Sequence, residues 1–385
     1  MEVYSKLPNV GTTIFSVMSA LADEHGAINL SQGFPNFSSP QALTDLVCHY
    51  LQAGYNQYAP MPGLPSLREA IAQKAAHRYG INLNPATEIT ITAGATQAIY
   101  CSIAAFVRPG DEVILLEPAY DCYRPAVEVN GGLPVIYELK APDYKINWQH
   151  VEALLTPATR MIIINTPHNP TGTALQTADL LALQHITAGT DILVLSDEVY
   201  EHLIYDGAAH QSVLRYPGLR QRSLATFSFG KTFHNTGWKV GYCIAPPALM
   251  VEFRKVHQYN TFSVHRPTQH ALADYLQEPS TYESLPAFYQ QKRDILLAAM
   301  EGSLFKPLPC QGTYFCNFDY SAISDETDRV FAHRLITEHG VAAIPVSAFY
   351  TSGRDERIIR LCFAKTEETL RAAGRRLRAV GQVST

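Results

Sequence analysis

The feature that most constrains the fold is a series of short apolar runs between residues 88 and 246. They are rich in β-branched residues and alternate with polar or helix-like segments: EITITAG, DEVILLEP, LPVIYEL, TRMIIINTP, DILVLSDE, SLATFSFG and KVGYCIAP. Near-continuous apolar runs are typical of strands buried on both faces, and helices between them favour crossover connections. The sequence therefore predicts an α/β domain with a mostly parallel sheet between helices.

The segments on either side of this region define the predicted domain organisation. Residues 1–37 are expected to form an N-terminal arm and part of a small domain, residues 38–279 the large α/β domain, and residues 280–385 a small C-terminal α+β domain. The large domain is expected to begin with the helix SSPQALTDLVCHYLQAG, capped by serine and ended by Gly54. In the C-terminal segment, helical stretches flank the strand-like runs TYFCNFDY and ERIIRLCFA, which is typical of an α+β unit.

Composition and charge exclude several classes of function. The chain has 385 residues, a net charge of −5 and seven cysteines. It contains no basic run of the kind that binds nucleic acid, no run apolar enough to span a bilayer, and no basic start of a signal peptide. The cysteines are scattered without metal-ligand spacing. We therefore expect a cytoplasmic protein with reduced core thiols and no nucleic-acid, membrane or metal partner.

Polar residues close several of the apolar runs and are the first candidates for a functional site. In open α/β sheets, ligands bind outside the carboxyl ends of the strands. Residues at equivalent strand ends are therefore expected to converge on one site. The candidates are Gly94, Thr96, Tyr120, Asn169, Asp197, Tyr200, Ser228 and Lys231.

The segment ITAGATQA predicts a strand, a glycine turn and the start of a helix. Free N–H groups at a helix start can bind a phosphate, although a plain strand-to-helix turn would account for the same residues. The GKT triplet at Lys231 ends like a P-loop, but Ala225 stands where a P-loop needs glycine. There is also no G-x-G-x-x-G segment. A nucleotide-binding module is therefore excluded.

Two of the strand-end groups have reactive chemistry. A carboxylate at a buried strand end, as predicted for Asp197, needs a partner such as a protonated ring nitrogen, and a helix-capping role is the alternative. The neighbouring Glu198 is expected to be solvated. A lysine removed from water becomes nucleophilic at neutral pH, so Lys231 is a candidate Schiff-base lysine. A lysine whose stem lies along the surface is the alternative.

Two further residues are candidates for ligand contacts. Asn169 lies in the turn NTPHNPTG, where the prolines hold it at a strand end; it can donate to an oxygen, or it can serve the turn alone. Arg360 lies on the apolar run RLCFAK. Its guanidinium can clamp an α-carboxylate with two hydrogen bonds, and a salt bridge between domains is the alternative.

Taken together, these segments resemble the class I and II aminotransferases, which have the fold-type-I pyridoxal-phosphate transferase fold. The resemblance runs from LSQGFPNF through NQYAPMPGLPSLREAIA, EPAYDCY, SDEVYEHL and SFGKTFHNTGWKVGY to GTYF and RLCFAK. SKLPNVGTTIFSVMSALA and KVHQYNTFSV are most similar to the branch of methionine aminotransferases and kynurenine or glutamine transaminases. The resemblance implies a homodimer with shared active sites. It also implies ping-pong transfer of the amino group of methionine, glutamine or an aromatic amino acid to a 2-oxo acid.

The resemblance further implies a role for each site residue. Lys231 would hold pyridoxal 5'-phosphate as a Schiff base, and Asp197 would pair with the ring nitrogen. Asn169 and Tyr200 would bond the ring hydroxyl oxygen, and Tyr120 would stack on the ring. The phosphate would be bound by the N–H groups of Ala95 and Thr96, by Ser228 and Lys239, and by Tyr58 of a second subunit.

The substrate contacts follow from the same resemblance. Lys239 stands where many members of the family carry arginine, so it would contact the phosphate as a point charge. Arg360, the backbone near Gly33 and the amide of Asn169 would bind the substrate carboxylate. The residues implied around the substrate side chain are Phe15, Phe34, Tyr58, Tyr120 and Val264.

The motifs leave one alternative reaction open. A cysteine-conjugate or cystathionine β-lyase uses the same cofactor and the same motifs, but expels a group from the β-carbon. A regulator that binds the cofactor without catalysis is not favoured, because such proteins carry an added DNA-binding domain and only a short arm precedes Leu30 here.

Overall fold

The computed structural model describes residue 1 and residues 3–382, and in that part of the chain the largest sheet has seven strands. Its order is β2-β8-β7-β6-β5-β3-β4, with β8 antiparallel to both neighbours and the other pairs parallel. Each predicted apolar run contains one of its strands, so the mostly parallel sheet is confirmed. The strands are β2 (Ile89–Thr92), β3 (Glu112–Glu117), β4 (Leu133–Glu138), β5 (Thr159–Asn165), β6 (Leu193–Asp197), β7 (Ser223–Ser228) and β8 (Gly241–Ile244).

The central strands are apolar throughout because both faces of the sheet are covered. Along β5, Ile163 packs with Leu195 in one buried cluster, whereas Ile162 and Ile164 pack with Val194 in the cluster on the opposite face. Alternate residues of a strand point to opposite faces, so burial on both sides requires an uninterrupted apolar run. This is why the strands could be recognised in the sequence.

Helices surround this sheet. The predicted first helix begins after Pro40, and no side chain caps it, so the predicted serine cap is wrong. Gly54 follows the helix with a φ of +85°, a conformation that favours glycine. The helices of this region are α2 (Gln41–Gln52), α3 (Pro65–Tyr79), α4 (Ala95–Phe106), α5 (Tyr123–Val129), α6 (Trp148–Glu152), α7 (Thr177–Thr187), α8 (Pro217–Arg220), α9 (Phe229–Thr232), α10 (Pro247–Asn260), α11 (Arg266–Tyr275) and α12 (Ser280–Glu283).

The C-terminal region contains a second sheet of order β12-β13-β10-β9. Strands β10 and β13 lie in the two predicted strand runs and pair antiparallel, with Asn317 opposite Arg360. The elements are α13 (Leu285–Ala299), β9 (Lys306–Pro307), β10 (Phe315–Asp319), α14 (Asp328–His339), β11 (Val341–Ala342), β12 (Ile344–Pro345), β13 (Ile358–Cys362) and α15 (Glu367–Arg378).

The N-terminal segment joins this second region. It contains α1 (Ile14–Glu24) and β1 (Ile28–Asn29), and β1 pairs in parallel with β11. The predicted domain boundaries at residues 37 and 279 stay a prediction. Residue 2 of the predicted N-terminal arm and residues 383–385 of the predicted C-terminal domain lie outside the described residues. Within residues 1 and 3–382, no helix is both long and apolar enough to cross a membrane.

Candidate active site

A cavity of about 260 Å³ lies at the carboxyl ends of the central strands, between the large sheet and the C-terminal region. The predicted site residues line it, except Tyr58, Phe34 and Val264. Asn165, Asp197 and Ser228 end β5, β6 and β7, so the sheet itself brings their side chains together. The predicted residues at the cavity are Phe15, Gly33, Ala95, Thr96, Tyr120, Asn169, Asp197, Tyr200, Ser228, Lys231, Lys239 and Arg360.

One end of the cavity has the features of an anion site. Helix α4 begins at Ala95, so its first N–H groups are free of helical partners and face the cavity end. Gly94 has a φ of +79°, and a Cβ placed there would lie 3.6 Å from Lys239 Nζ. A side chain at position 94 would therefore fill the space between the helix start and the ammonium group. Glycine keeps that space open for a ligand.

At the centre of the cavity, Asp197 is buried without a basic partner. Tyr123 donates a hydrogen bond to Oδ2 at 2.6 Å, and the Val199 N–H donates to Oδ1 at 3.3 Å. No Lys, Arg or His of the described chain forms an ion pair with it. Burial raises the pKa of Asp197 to about 6. A carboxylate in this position is stabilised by a cationic ligand group.

Lys231 faces the same space from α9. Its Nζ lies 2.8 Å from the hydroxyl oxygen of Tyr314 and 3.4 Å from the carbonyl oxygen of Gly33. Burial lowers the pKa of Lys231 to about 8. A substantial fraction of the amine is therefore neutral near physiological pH, which a nucleophile and proton acceptor requires. The alternative of a lysine lying along the surface is wrong, because this amine lies inside the cavity.

Arg360 lines the same cavity from β13. It is 1% exposed, its Nη1 donates to Asn169 Oδ1 at 2.6 Å, and its guanidinium lies 3.8 Å from the ring centroid of Phe315. Among the described residues it forms no salt bridge, and its Nε has no hydrogen-bond partner. Burial lowers the pKa of Arg360 to about 10. The alternative of an inter-domain salt bridge is therefore wrong, and the guanidinium is available to an anionic ligand.

Sequence reasoning missed several residues that support this site. Asn165 Nδ2 donates to the carbonyl of Asp197 at 2.8 Å, and its Oδ1 accepts the N–H of Asn169 at 2.7 Å. Tyr123 contacts Asp197, and Tyr314 contacts Lys231. The signal was present for Asn165, which is the last residue of its apolar run. It was weak for the tyrosines, because their hydroxyl groups reach the site only through tertiary packing.

Some predicted residues lie elsewhere in this chain. Tyr58 does not line the cavity; it is 76% exposed and its ring lies 5.2 Å from that of Phe262. Phe34 is half-exposed beside the Lys365 ammonium, and Val264 packs in the core. Contrary to the prediction, neither Phe34 nor Val264 lines the cavity within this chain.

The expectation that Glu198 is solvated is wrong. The residue is fully buried, and its carboxylate accepts hydrogen bonds from Ser196 Oγ at 2.8 Å and the Val213 N–H at 3.1 Å. His210 Nε2 lies 2.8 Å from Oε2. The turn after β6 points Glu198 into the protein, where these groups replace its water shell.

The cavity combines an anion site at the start of α4, the buried Asp197 carboxylate, the Lys231 amine and, from the C-terminal sheet, the Arg360 guanidinium without a counter-charge. These are the groups of a pyridoxal-phosphate-dependent transferase of fold type I. A model of the family described as aminotransferase class I and II matches residues 25–377. The chain belongs to this family, and it is a transaminase whose cofactor is pyridoxal 5'-phosphate.

Individual relatives agree with this assignment over nearly the full chain. A methionine aminotransferase of Escherichia coli strain K12 is 54% identical over 97% of each chain. A kynurenine–oxoglutarate transaminase of Dictyostelium discoideum is 35% identical over 94% of this chain and 93% of its own. A solved Escherichia coli structure for which a methionine aminotransferase function was identified superposes with a TM-score of 0.97, covering 98% of this chain and 99% of the other.

The residues of the cavity fit this cofactor. Its phosphate matches the start of α4 and Lys239, its ring nitrogen matches the unpaired Asp197, and its aldehyde matches the buried amine of Lys231. Across the described chain, no cluster of three or more His, Cys, Asp or Glu side chains is arranged to hold a metal ion.

Proposed function

We propose that this transaminase moves the amino group of methionine, and of other uncharged or aromatic L-amino acids such as glutamine, phenylalanine, tyrosine and kynurenine, to a 2-oxo acid. The observation that carries the proposal is the set of cations at the cavity. Among the described lining residues they are Lys231, Lys239 and Arg360, and each has a partner in the cofactor or in the substrate α-carboxylate. Within the described lining residues of this chain, no further cation is left for a second carboxylate, so an acidic side chain would have no counter-charge from these residues.

The walls beside Arg360 support the same class of substrate. The ring centroids of Phe15 and Phe315, which both line the cavity, lie 5.3 and 3.8 Å from its guanidinium. Aromatic walls favour apolar and polarisable side chains, including a thioether. The similarity to a methionine aminotransferase points to the same substrate.

We assign the cofactor contacts as the resemblance implies. Lys231 would bond the aldehyde carbon, Asp197 would pair with the ring nitrogen, Tyr120 would stack on the ring, and Asn169 and Tyr200 would bond the ring hydroxyl oxygen. The residues assigned to the phosphate are Ala95, Thr96, Ser228, Lys239 and the partner subunit's Tyr58. Arg360, Asn169 and the backbone at Gly33 bind the substrate carboxylate.

The chemistry follows from the positions of these groups. Bound pyridoxal phosphate supplies an aldehyde that accepts the amino group and a ring that withdraws electrons from the α-carbon. The Lys231 amine would accept the proton that leaves the substrate α-carbon and would deliver it to the carbon of the cofactor's former aldehyde group. The Asp197 carboxylate keeps a proton on the ring nitrogen, which maintains the electron withdrawal. Arg360 fixes the carboxylate, so that the α-proton faces Lys231. Release of one 2-oxo acid before the next binds gives ping-pong kinetics.

A homodimer with shared active sites is part of the proposal. Tyr58 is 76% exposed, and Phe262, whose ring lies 5.2 Å from that of Tyr58, is 45% exposed. Exposed aromatic residues grouped in this way are typical of protein interfaces. We therefore propose that a second copy covers this face and that each chain's Tyr58 enters the site of the other. A cytoplasmic location is also proposed, since each of the seven cysteines is unpaired.

Subunit complementation tests the shared site. Lys231→Ala and Tyr58→Ala chains are each expected to be impaired alone. When the two are mixed and reassembled, half of the dimers pair one of each, and these have one intact site. About a quarter of wild-type activity should then return. Activity no greater than the sum of the two variants would exclude a shared site.

Substrate assays test the reaction itself. We expect methionine plus a 2-oxo acid to give the oxo acid of methionine and a new amino acid in equal amounts, with aspartate at least about 100-fold poorer as a donor. The β-lyase alternative predicts pyruvate and ammonia from cystathionine as the faster reaction. Lys231→Ala is the control for cofactor-dependent turnover in both assays. Aspartate turnover equal to that of methionine would contradict the proposal.

A further inference from the structure

Tyr314 lies directly against the amine of Lys231. Its hydroxyl oxygen is 2.8 Å from Nζ, and the residue is fully buried in the segment GTYF that leads into β10. The same hydroxyl lies 2.5 Å from the carbonyl oxygen of Gly33, and Nζ is 3.4 Å from that oxygen. The amine, the phenol and the carbonyl therefore form one hydrogen-bonded group at the cavity wall.

The direction of these hydrogen bonds is determined by the chemistry of the three groups. A carbonyl oxygen only accepts, and a phenol has a single proton, so the Tyr314 proton is directed at Gly33. Burial raises the pKa of Tyr314 well above its usual value, so the phenol keeps this proton. Toward Lys231 the phenol oxygen is then an acceptor, and the amine donates one N–H. Because the neutral amine donates an N–H to the phenol oxygen, its lone pair points away from Tyr314.

The phenol is held rigidly by its surroundings. Its ring packs edge-on against Tyr200 at 5.1 Å, and it contacts Phe315 at 4.8 Å and Tyr289 at 5.9 Å. Its carbonyl accepts the N–H of Phe363 at 2.9 Å. The lysine stem has four rotatable bonds and is flexible by comparison. A fixed acceptor therefore selects one orientation of the amine whenever Lys231 is not bonded to the cofactor.

We infer that Tyr314 is the positioning residue for proton transfer by Lys231. Its hydroxyl accepts an N–H of the free amine, so that the lone pair points at the substrate α-carbon, and it then accepts from the ammonium group formed when that carbon gives up its proton. The proton passes from the α-carbon to Nζ and from Nζ to the carbon that receives it, while Tyr314 keeps its own proton, which stays directed at the Gly33 carbonyl oxygen. This inference rests on the proposed role of Lys231.

The test compares Tyr314→Phe with Tyr289→Phe. Tyr289 is equally buried and packs against Tyr314, but its hydroxyl bonds His234 Nδ1 at 2.8 Å instead of Lys231. Both variants lose one hydroxyl from the same aromatic cluster and keep the ring. The other charged or titratable groups that face the Lys231 amine are unchanged in both: Asp197, Tyr200, Lys239, Arg360 and Cys362.

The first readout is the single-turnover half-reaction with methionine and with methionine deuterated at the α-carbon. We expect Tyr314→Phe to slow it at least about tenfold, with KM within about twofold of wild type and a larger isotope effect, because only the proton-transfer step is affected. Tyr289→Phe should match wild type in all three quantities. An unchanged rate or isotope effect in Tyr314→Phe would overturn the inference.

The second readout needs no turnover. In holoenzyme loaded with pyridoxamine phosphate, Lys231 is not bonded to the cofactor, and acetic anhydride can label its neutral amine. The pH midpoint of labelling should fall by about one unit in Tyr314→Phe, because the ammonium loses an acceptor. It should be unchanged in Tyr289→Phe. Equal midpoints in wild type and Tyr314→Phe, or the same fall in both variants, overturn the inference whatever the rates show.

The two proposals fail in distinguishable ways. If borohydride reduction does not join the cofactor to Lys231, the proposed function fails and the role of Tyr314 fails with it. If the cofactor is trapped on Lys231 in wild type and in both variants, but the labelling midpoints agree, the transaminase site stands and only the role of Tyr314 is lost.

Discussion

Two buried acids, Asp197 and Glu201, each lie near a lysine, and they differ in how the acid is paired. Glu201 forms a close ion pair with Lys74 and also accepts a hydrogen bond from Tyr242 at 3.0 Å. Asp197, four residues earlier, has only Tyr123 and a backbone N–H as donors. Similar burial therefore encloses one complete ion pair and one acid without a counter-charge.

The pKa values of the two acids express this difference. Burial alone would raise both, but Lys74 and its neighbours hold the pKa of Glu201 well below its usual range. Burial raises that of Asp197 to about 6. A complete buried pair stabilises one arrangement of the chain and has no free capacity for a ligand. A buried acid without a counter-charge destabilises the folded protein, and a bound cationic ligand removes that cost. Acids of this kind are typical of functional sites.

The largest expected effect comes from removing the amine of the incomplete group. Lys231→Ala should reduce kcat by at least about 10⁴-fold, because both the bond to the cofactor and the proton acceptor are lost. The cofactor-free variant should be at least as stable as wild type, because its burial already disfavours the Lys231 charge. Steady-state kinetics and urea unfolding measure the two quantities. Activity within about tenfold of wild type would contradict the assignment.

The next effect concerns the acid of the same group. Asp197→Asn cannot keep a proton on the ring nitrogen, so kcat should fall about 10³-fold. The stability of the cofactor-free protein should instead increase near neutral pH, because the variant has no buried charge at this position. The pKa of Asp197 is raised from 3.8 to about 6, so protonated Asp197 contributes stability below about pH 4 that is lost as pH rises through 6.

The Asn variant has no such loss. Relative to the variant, cofactor-free wild type should therefore lose about 2.5 kcal/mol of unfolding free energy between pH 4 and pH 7. Urea unfolding of both proteins across this range measures the difference. A constant difference would show that Asp197 is not destabilised by burial.

The complete pair should respond in the reverse way. Lys74→Met leaves Glu201 buried without its cation and should cost about 3–5 kcal/mol of unfolding free energy, while kcat per folded molecule stays within about threefold of wild type. The double variant Lys74→Met with Glu201→Gln should recover part of that stability, because the orphaned charge is gone. Loss of turnover without loss of stability would place this pair in the chemistry instead.

The smallest expected effect tests how Asp197 is tuned. Tyr123→Phe removes the 2.6 Å hydrogen bond to Oδ2, so the pKa of Asp197 should rise further and kcat should fall about tenfold. The matched control is Tyr320→Phe: Tyr320 is also fully buried, but its hydroxyl donates to the carbonyl of Glu326 at 2.8 Å in the C-terminal region. Equal effects in the two variants would mean that the loss is only structural.

Much of this arrangement could be predicted from the sequence, for physical reasons. Asp197 and Ser228 end apolar runs, and strands buried on both faces are the easiest elements to recognise. The misses have a different origin. Glu198 has the same sequence surroundings as a solvated residue, and its burial depends on Val213 and His210, which are close only in the folded chain.

The tyrosines show the same limit. Tyr314 and Tyr123 act through a single hydroxyl at the end of a buried ring, and no local pattern distinguishes them from core residues such as Tyr320. The resemblance assigns Tyr58 to the site of a second subunit, and within a single chain this residue is 76% exposed. Contacts that depend on tertiary or quaternary packing therefore require the structure.

The most direct test of the central claim is to reduce the cofactor-loaded enzyme with borohydride, digest it and locate the modified lysine by mass spectrometry. The incomplete pairing at Asp197 predicts that the pyridoxyl group is found on Lys231 and that Lys74 is unmodified. A pyridoxyl group on Lys74 or on any other lysine, with Lys231 free, would contradict the account.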